Sequence, residues 1–168
     1  MNTASTAISD AHDRVTGAFP FVLNKHLPGM LHAALVRSPL PHAAIRSIDT
    51  TAAQELPGVV AVLTADHLAN GQDPLYFGDS RPDQPVLAHD RVRYVGDPVA
   101  IVLADTRRAA AEACLYVDVD YAELPYVTDP EEALADSAPL VCEQDGTNVL
   151  ATWHLRHGDA EAAMADAD

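Results

Sequence analysis

LPGMLHAALVRSP, residues Leu27–Pro39, decides how the rest of the chain is read. A Pro-Gly turn launches a short apolar run, and the run stops at Arg37-Ser38-Pro39. Turn residues at both ends of an apolar run of this length mark a strand rather than a helix. Its mostly apolar character, MLHAALVR, is that expected of an inner strand buried on both faces. The following PHAAIRSID, Pro41–Asp49, reads as a second strand, with Ile45 and Ile48 at the ends of its alternating part.

Working outward, Asp49-Thr50-Thr51 is a helix cap that leads into Ala52-Ala53-Gln54-Glu55, and Pro57-Gly58 ends that helix. Val59–Leu63 reads as a buried strand, and Thr64 as the cap of a single turn, ADHL. Gly71–Pro85 (GQDPLYFGDSRPDQP) is the longest irregular segment, expected to be a mobile or partner-facing loop. Val92 and Tyr94 read as a strand that enters a tight turn at Gly96-Asp97-Pro98. Val99–Ala104 is a fully buried strand by composition, and Asp105-Thr106 caps a helix, RRAAAEACLY, whose alanines let it lie close to a sheet.

Val117, Val119 and Tyr121 alternate with Asp118 and Asp120, the period of a half-exposed strand. Asp129-Pro130-Glu131-Glu132 starts a short helix that stops by Ser137. Asn148–Leu155 reads as extended, and Gly158-Asp159 starts a last helix, AEAAMADAD. Strands and helices in this mixed order predict an α+β fold with a mixed, mostly antiparallel sheet and short helices. Residues 1–13 read as a flexible tail and 14–168 as a single domain.

Composition excludes several classes. The chain has 168 residues and a formal net charge of −15, with only 10 Lys and Arg. A nucleic-acid surface needs clustered basic groups, so nucleic acid is not an expected partner. Residues 105–168 hold 15 acids against 3 Lys and Arg, which reads as a solvated acidic surface or as a face for a basic subunit. Apolar runs are too short to span a bilayer and the N-terminus lacks a leader pattern, so no membrane is expected and the compartment reads as cytoplasmic. Hydrophobic residues make up 48 % and aromatics only 5 %, so the core must be aliphatic.

The reactive side chains give no site. Cys114 and Cys142 are outside any CxxC pattern and read as small core residues. None of the 8 histidines has HxH or HExxH spacing; His154 and His157 flank Arg156 in an extended stretch, and His32 and His42 read as structural. Ser38 lies in RSP rather than a GxSxG elbow. Tyr94-Val95-Gly96-Asp97-Pro98 has one glycine and is no phosphate loop. Asp118 and Asp120 share a strand face, as solvated acids do, and Arg91 and Arg93 share another, either at the surface or facing an acidic group of a partner. No catalytic, cofactor-binding or metal-ligating residue is assigned within the chain.

Four segments together resemble the α/β hammerhead domain of the large subunit in the xanthine dehydrogenase and aldehyde oxidase family. They are Leu27–Pro39, Pro57–Thr64 (PGVVAVLT), Pro85–Ala104 (PVLAHDRVRYVGDPVAIVLA) and Val117–Leu134 (VDVDYAELPYVTDPEEAL). Arg14–Gly17 resembles the entry to that domain and Gly158–Asp168 the segment that closes it. The resemblance implies a molybdenum hydroxylase acting on aldehydes or N-heterocycles, with molybdopterin, [2Fe–2S] clusters and FAD in the assembled complex and none in this chain. It implies a non-catalytic module or split subunit that packs against a molybdenum-binding large-subunit chain, with iron–sulfur and FAD subunits as further expected partners. A free-standing interaction or ligand-binding module, and a truncated remnant, stand as the alternatives.

Overall fold

The run Val99–Ala104 lies at the centre of the molecule, as its composition requires. The computed structural model describes residues 9–22, 25–69, 75–78, 83–155 and 157–167. In chain order these form α1 (Ala11–Thr16), β1 (His32–Arg37), β2 (Ala43–Asp49), α2 (Thr51–Gln54), β3 (Val59–Thr64), α3 (Ala65–Ala69), β4 (Tyr76–Phe77), β5 (Gln84–Pro85), β6 (Arg91–Val92), β7 (Pro98–Ala104), α4 (Arg107–Ala113), β8 (Asp118–Glu123) and α5 (Ala160–Ala165). Single 3-10 turns lie at Cys114–Tyr116, Glu132–Leu134 and Glu143–Asp145.

The strands form two three-stranded antiparallel sheets, ordered β1-β7-β3 and β6-β2-β8, and a short ribbon β4-β5. The fold is α+β with mostly antiparallel pairing and short helices, as the sequence predicts. In the first sheet Val102 pairs with Ala34 on one side and Val62 on the other. β7 is therefore the inner strand. β1, expected to be inner, is an edge strand whose Ala33 and Leu35 are exposed. An edge strand with one covered face can carry the same apolar composition as an inner one, because an exposed Ala or Leu costs little.

β7 contributes to two cores. Ala100 and Val102 join Val36, Val62, Ala53 and Ala113 under α2 and α4. Val99 joins Ala43, Ala88 and Val92 against the second sheet. The alanines of α4 are what let the helix approach: Ala110 and Ala113 are buried while the arginines at its start stay exposed. The Thr106 hydroxyl accepts the Ala109 amide at 3.1 Å, the cap the sequence predicts.

Ile45 and Ile48 both pack against the second core. Three residues apart on a regular strand, they would face opposite sides. A register shift between Ile45 and Ser47 turns them to the same side.

Thr64 directly precedes α3, and its amide donates to Nδ1 of His67, three residues on, at 3.1 Å. Other expectations change locally. Tyr94 lies outside β6 and belongs to the turn, where the Asp97 amide donates to its carbonyl at 3.1 Å. The helix expected after Asp129 is only the 3-10 turn at Glu132–Leu134, although Asp129 caps it by accepting the amides of Glu131 and Glu132 at 2.8 and 3.0 Å. Of the expected tail, residues 1–8 lie outside the described residues, and α1 spans its end. Within Gly71–Pro85, residues 71–74 and 79–82 lie outside the described residues, and Tyr76–Phe77 pairs with Gln84–Pro85. Arg156 and Asp168 also lie outside them. Among the described residues no helix is long and apolar enough to cross a membrane.

Candidate functional site

The C-terminal end of the opening strand motif meets the Tyr94–Pro98 turn. The Ser38 amide donates to the Asp97 carbonyl at 2.9 Å, and the Gly96 amide returns to the Ser38 carbonyl at 2.8 Å. The Arg37 guanidinium donates to the Gly96 carbonyl at 2.7 Å. This clasp continues the β1–β7 ladder past the register shift at Val36–Arg37. Gly96 has φ +97°, in the region that favours glycine, so the turn needs this residue type.

Ser38 is buried, and its hydroxyl donates to the Leu40 carbonyl at 2.9 Å. It closes a local turn rather than presenting a nucleophile. Asp97 is buried beside it, and its carboxylate accepts the Arg93 amide at 2.9 Å. Burial pushes the Asp97 carboxyl up, against the hydrogen bond and charge of Arg93 and a hydrogen bond from Tyr94. Burial also pushes the Tyr121 phenol up; a Ser38 hydrogen bond works against this and the Asp97 charge adds to it.

Next to the clasp lies a groove of about 440 Å³. Pro85, Arg93 and Tyr94 form one wall, and Val141, Cys142 and Leu150 the other. The second wall is held by Asn148, whose side chain accepts the Val141 amide at 2.9 Å and donates to the Ala133 and Pro139 carbonyls at 3.1 and 3.0 Å. Arg91 and Arg93, expected at the surface or facing a partner, are partly buried and pair with carboxylates of this chain that stay exposed. Arg91 lies 3.3 Å from Glu143, and both arginines approach Asp90, at 3.4 and 4.0 Å. Partial burial works upward on the Asp90 carboxyl, but Arg93 and His89 together hold it below its ordinary range.

Apart from Cys142, the remaining candidates stay away from this groove. Asp118 and Asp120 are exposed, and Asp120 makes only a loose 3.9 Å pair with exposed Arg46. His32 lies half-buried on β1 and His42 is buried, with Nδ1 2.7 Å from the Pro125 carbonyl. His154 and His157 are exposed. The Cys114 thiol, pushed up by burial, donates to the Ala110 carbonyl at 3.3 Å. Cys142, expected in the core, is only partly buried and lines the groove. Among the described residues no three His, Cys, Asp or Glu side chains converge as metal ligands.

Sequence reasoning missed Asp90, Glu143 and Asn148. Asp90 stands close to two arginines in sequence and was findable from that spacing. Glu143 and Asn148 reach the site only through the path of the chain between Leu124 and Leu150, which has no periodic signal. The arrangement offers a groove whose lining joins apolar groups with Arg93 and the carboxylates of Asp83, Asp97 and Asp145.

The sequence matches the family model for aldehyde oxidase and xanthine dehydrogenase, a/b hammerhead domain, over residues 16–125. A probable xanthine dehydrogenase subunit of Bacillus subtilis (strain 168) is 38 % identical over 168 residues, 100 % of this chain and 22 % of that protein. The nicotinate dehydrogenase large molybdopterin subunit of Eubacterium barkeri is 35 % identical over 159 residues, 95 % of this chain and 36 % of that protein. The solved structure of reconstituted CO dehydrogenase from Oligotropha carboxidovorans superimposes with a TM-score of 0.72 at 41 % identity, over 79 % of this chain and 16 % of that one. The chain thus spans only a minor part of the length of each protein it matches.

Proposed function

The chain belongs to the aldehyde oxidase and xanthine dehydrogenase family, whose α/β hammerhead domain it carries, and from that premise we propose that it serves as the packing module of a molybdopterin-dependent dehydrogenase. In this reading it contributes no reacting group. It packs against a molybdenum-binding polypeptide, and the assembled enzyme hydroxylates an aldehyde or an N-heterocycle with electrons leaving through iron–sulfur clusters and FAD. The module is the domain from residue 14 onward, preceded by a short tail, and it works in the cytoplasm.

One observation carries the reading. A relative named as a large molybdopterin subunit matches 95 % of this chain with only 36 % of its own length. Among the described residues no three His, Cys, Asp or Glu side chains converge, so they do not fit a [2Fe–2S] cluster, which takes four cysteines or two cysteines and two histidines. No step of the reaction is therefore placed on these residues.

Co-expression with the molybdopterin-binding polypeptide of the same organism tests the proposal. The expected result is co-purification in a fixed ratio, with dehydrogenase activity that disappears when this chain is left out. Separate purification, with activity indifferent to its presence, overturns it.

A further inference from the structure

Residues 149–155 read Val-Leu-Ala-Thr-Trp-His-Leu. From Ala151 on, apolar Ala151, Trp153 and Leu155 alternate with polar Thr152 and His154, which is the period of a strand with one buried face. The structure leaves this face uncovered. Trp153 is 85 % exposed and Leu155 is 99 % exposed. Among the described residues, no backbone hydrogen bond joins residues 150–155 to any strand. The helix that follows, α5, buries no residue either, and its Met164 is also exposed.

We propose that residues 149–155 are an unpaired β-strand that completes the open edge of a sheet in the molybdopterin-binding polypeptide, with Trp153 as its anchor. This rests on the packing role proposed above. An extended segment adds to a sheet edge through its main chain, while alternate side chains fill pockets below it. Seven residues at strand rise span about 23 Å, ample for an edge pairing.

Two observations favour this occupant. The B. subtilis relative matches all 168 residues with 22 % of its length, so the counterpart of the segment there lies within a much larger polypeptide. The charge pattern agrees. Residues 105–168 are acid-rich, yet 146–158 contain no Asp or Glu, and that is the longest acid-free run of this half. Burying it against a partner leaves no carboxylate to desolvate. A single tryptophan amid apolar neighbours is also the residue type that dominates interface energetics.

Hydrogen exchange on the full chain, alone and assembled with the molybdopterin-binding polypeptide of the same organism, tests this. Alone, amides 150–155 should exchange freely. In the assembly, alternate amides of the stretch should slow by at least about tenfold, because every second amide of an added strand faces its neighbour. Trp153→Ser should weaken the association at least about 30-fold, the loss expected of an interface anchor. It should leave the melting temperature of the isolated chain unchanged, since the side chain touches solvent there. An assembly that forms with 149–155 unprotected overturns the inference and leaves the packing role standing. Protection already present in the isolated chain overturns it as well: if independent of concentration the chain's own body holds the strand, and if dependent a second copy does. Absence of any assembly overturns the packing role, and the inference with it.

Discussion

Asp97 is the residue at which the clasp can be tested most sharply. It is 4 % exposed and its carboxylate accepts the Arg93 amide at 2.9 Å. Asp97→Ala leaves that amide without a partner in a site with little access to water, a loss of about 1–3 kcal/mol. Asp97→Asn keeps an oxygen at the same place and removes the charge that burial opposes. It should stay within about 1 kcal/mol of the parent. In urea, a loss of about 2 kcal/mol corresponds to a midpoint roughly 1 M lower.

The pH dependence separates the charge from the hydrogen bond. Burial raises the Asp97 carboxyl above its ordinary value of 3.8. In the window between that value and the raised one, the folded chain binds more proton than the unfolded chain. Stability from this group is then fully present below the window and is lost as pH rises through it. Asp90 and Asp49 are shifted downward and work in the opposite direction, so the raw stability of the parent is uninformative. The difference between parent and Asp97→Asn isolates the group. Urea unfolding at a series of pH values should show the parent gaining on Asp97→Asn as the solution is acidified. A parent that loses ground to the amide on acidification, or an Asp97→Ala chain as stable as the parent, refutes the reasoning.

The other predictions concern turns, caps and the groove wall. Gly96→Ala should cost about 1–2 kcal/mol, because φ +97° is strained for any residue with a Cβ even though nothing lies within 4 Å of that position; a urea midpoint equal to the parent's would show the turn relaxing. Thr106→Ala should lose about 1 kcal/mol through the missing cap on the Ala109 amide, and Thr106→Ser should restore most of it. Asn148→Ala removes three hydrogen bonds that hold the groove wall. Limited proteolysis between residues 133 and 148 should speed up roughly tenfold, with the strands of both sheets unaffected.

Much of the fold was readable because its determinants are local. Val99–Ala104 is apolar at every position, a composition that suits an inner strand with two covered faces. Thr106 and Asp159 cap the helices after them, each accepting the amide three residues on at 3.1 Å, because a short side chain reaches it without help from the fold. Asp129 shows the boundary of such reasoning. Its capping geometry forms, but the segment after it has only Leu134 as a large apolar residue, and that is exposed. A start signal without a face to bury supports one turn and no more. The edge position of β1 and the bulge at Arg46 depend on which strands find each other, and that is written in no single segment. The ion cluster follows the same logic: Asp90 and Arg91 are neighbours, but Glu143 arrives from a loop held by Asn148.

The thinness of the interior bears on what the molecule is for. Among the described residues the largest fully buried side chains are Leu87, Val92, Val99 and Val102, and no aromatic is among them. Each of the two cores is built around β7 from alanines and valines. Meanwhile Leu115, Leu150, Trp153 and Leu155 lie exposed. Each buried Val or Leu supplies only about 1.5–3 kcal/mol, so an interior of this size leaves a modest margin over conformational entropy. Apolar surface left outside is then the larger untapped source of stability. A domain with this division should gain more from a covering polypeptide than a domain with a full aromatic core. The isolated chain should therefore melt well below the same chain within its assembly, and equal melting in the two states would show that the exposed residues are not covered there.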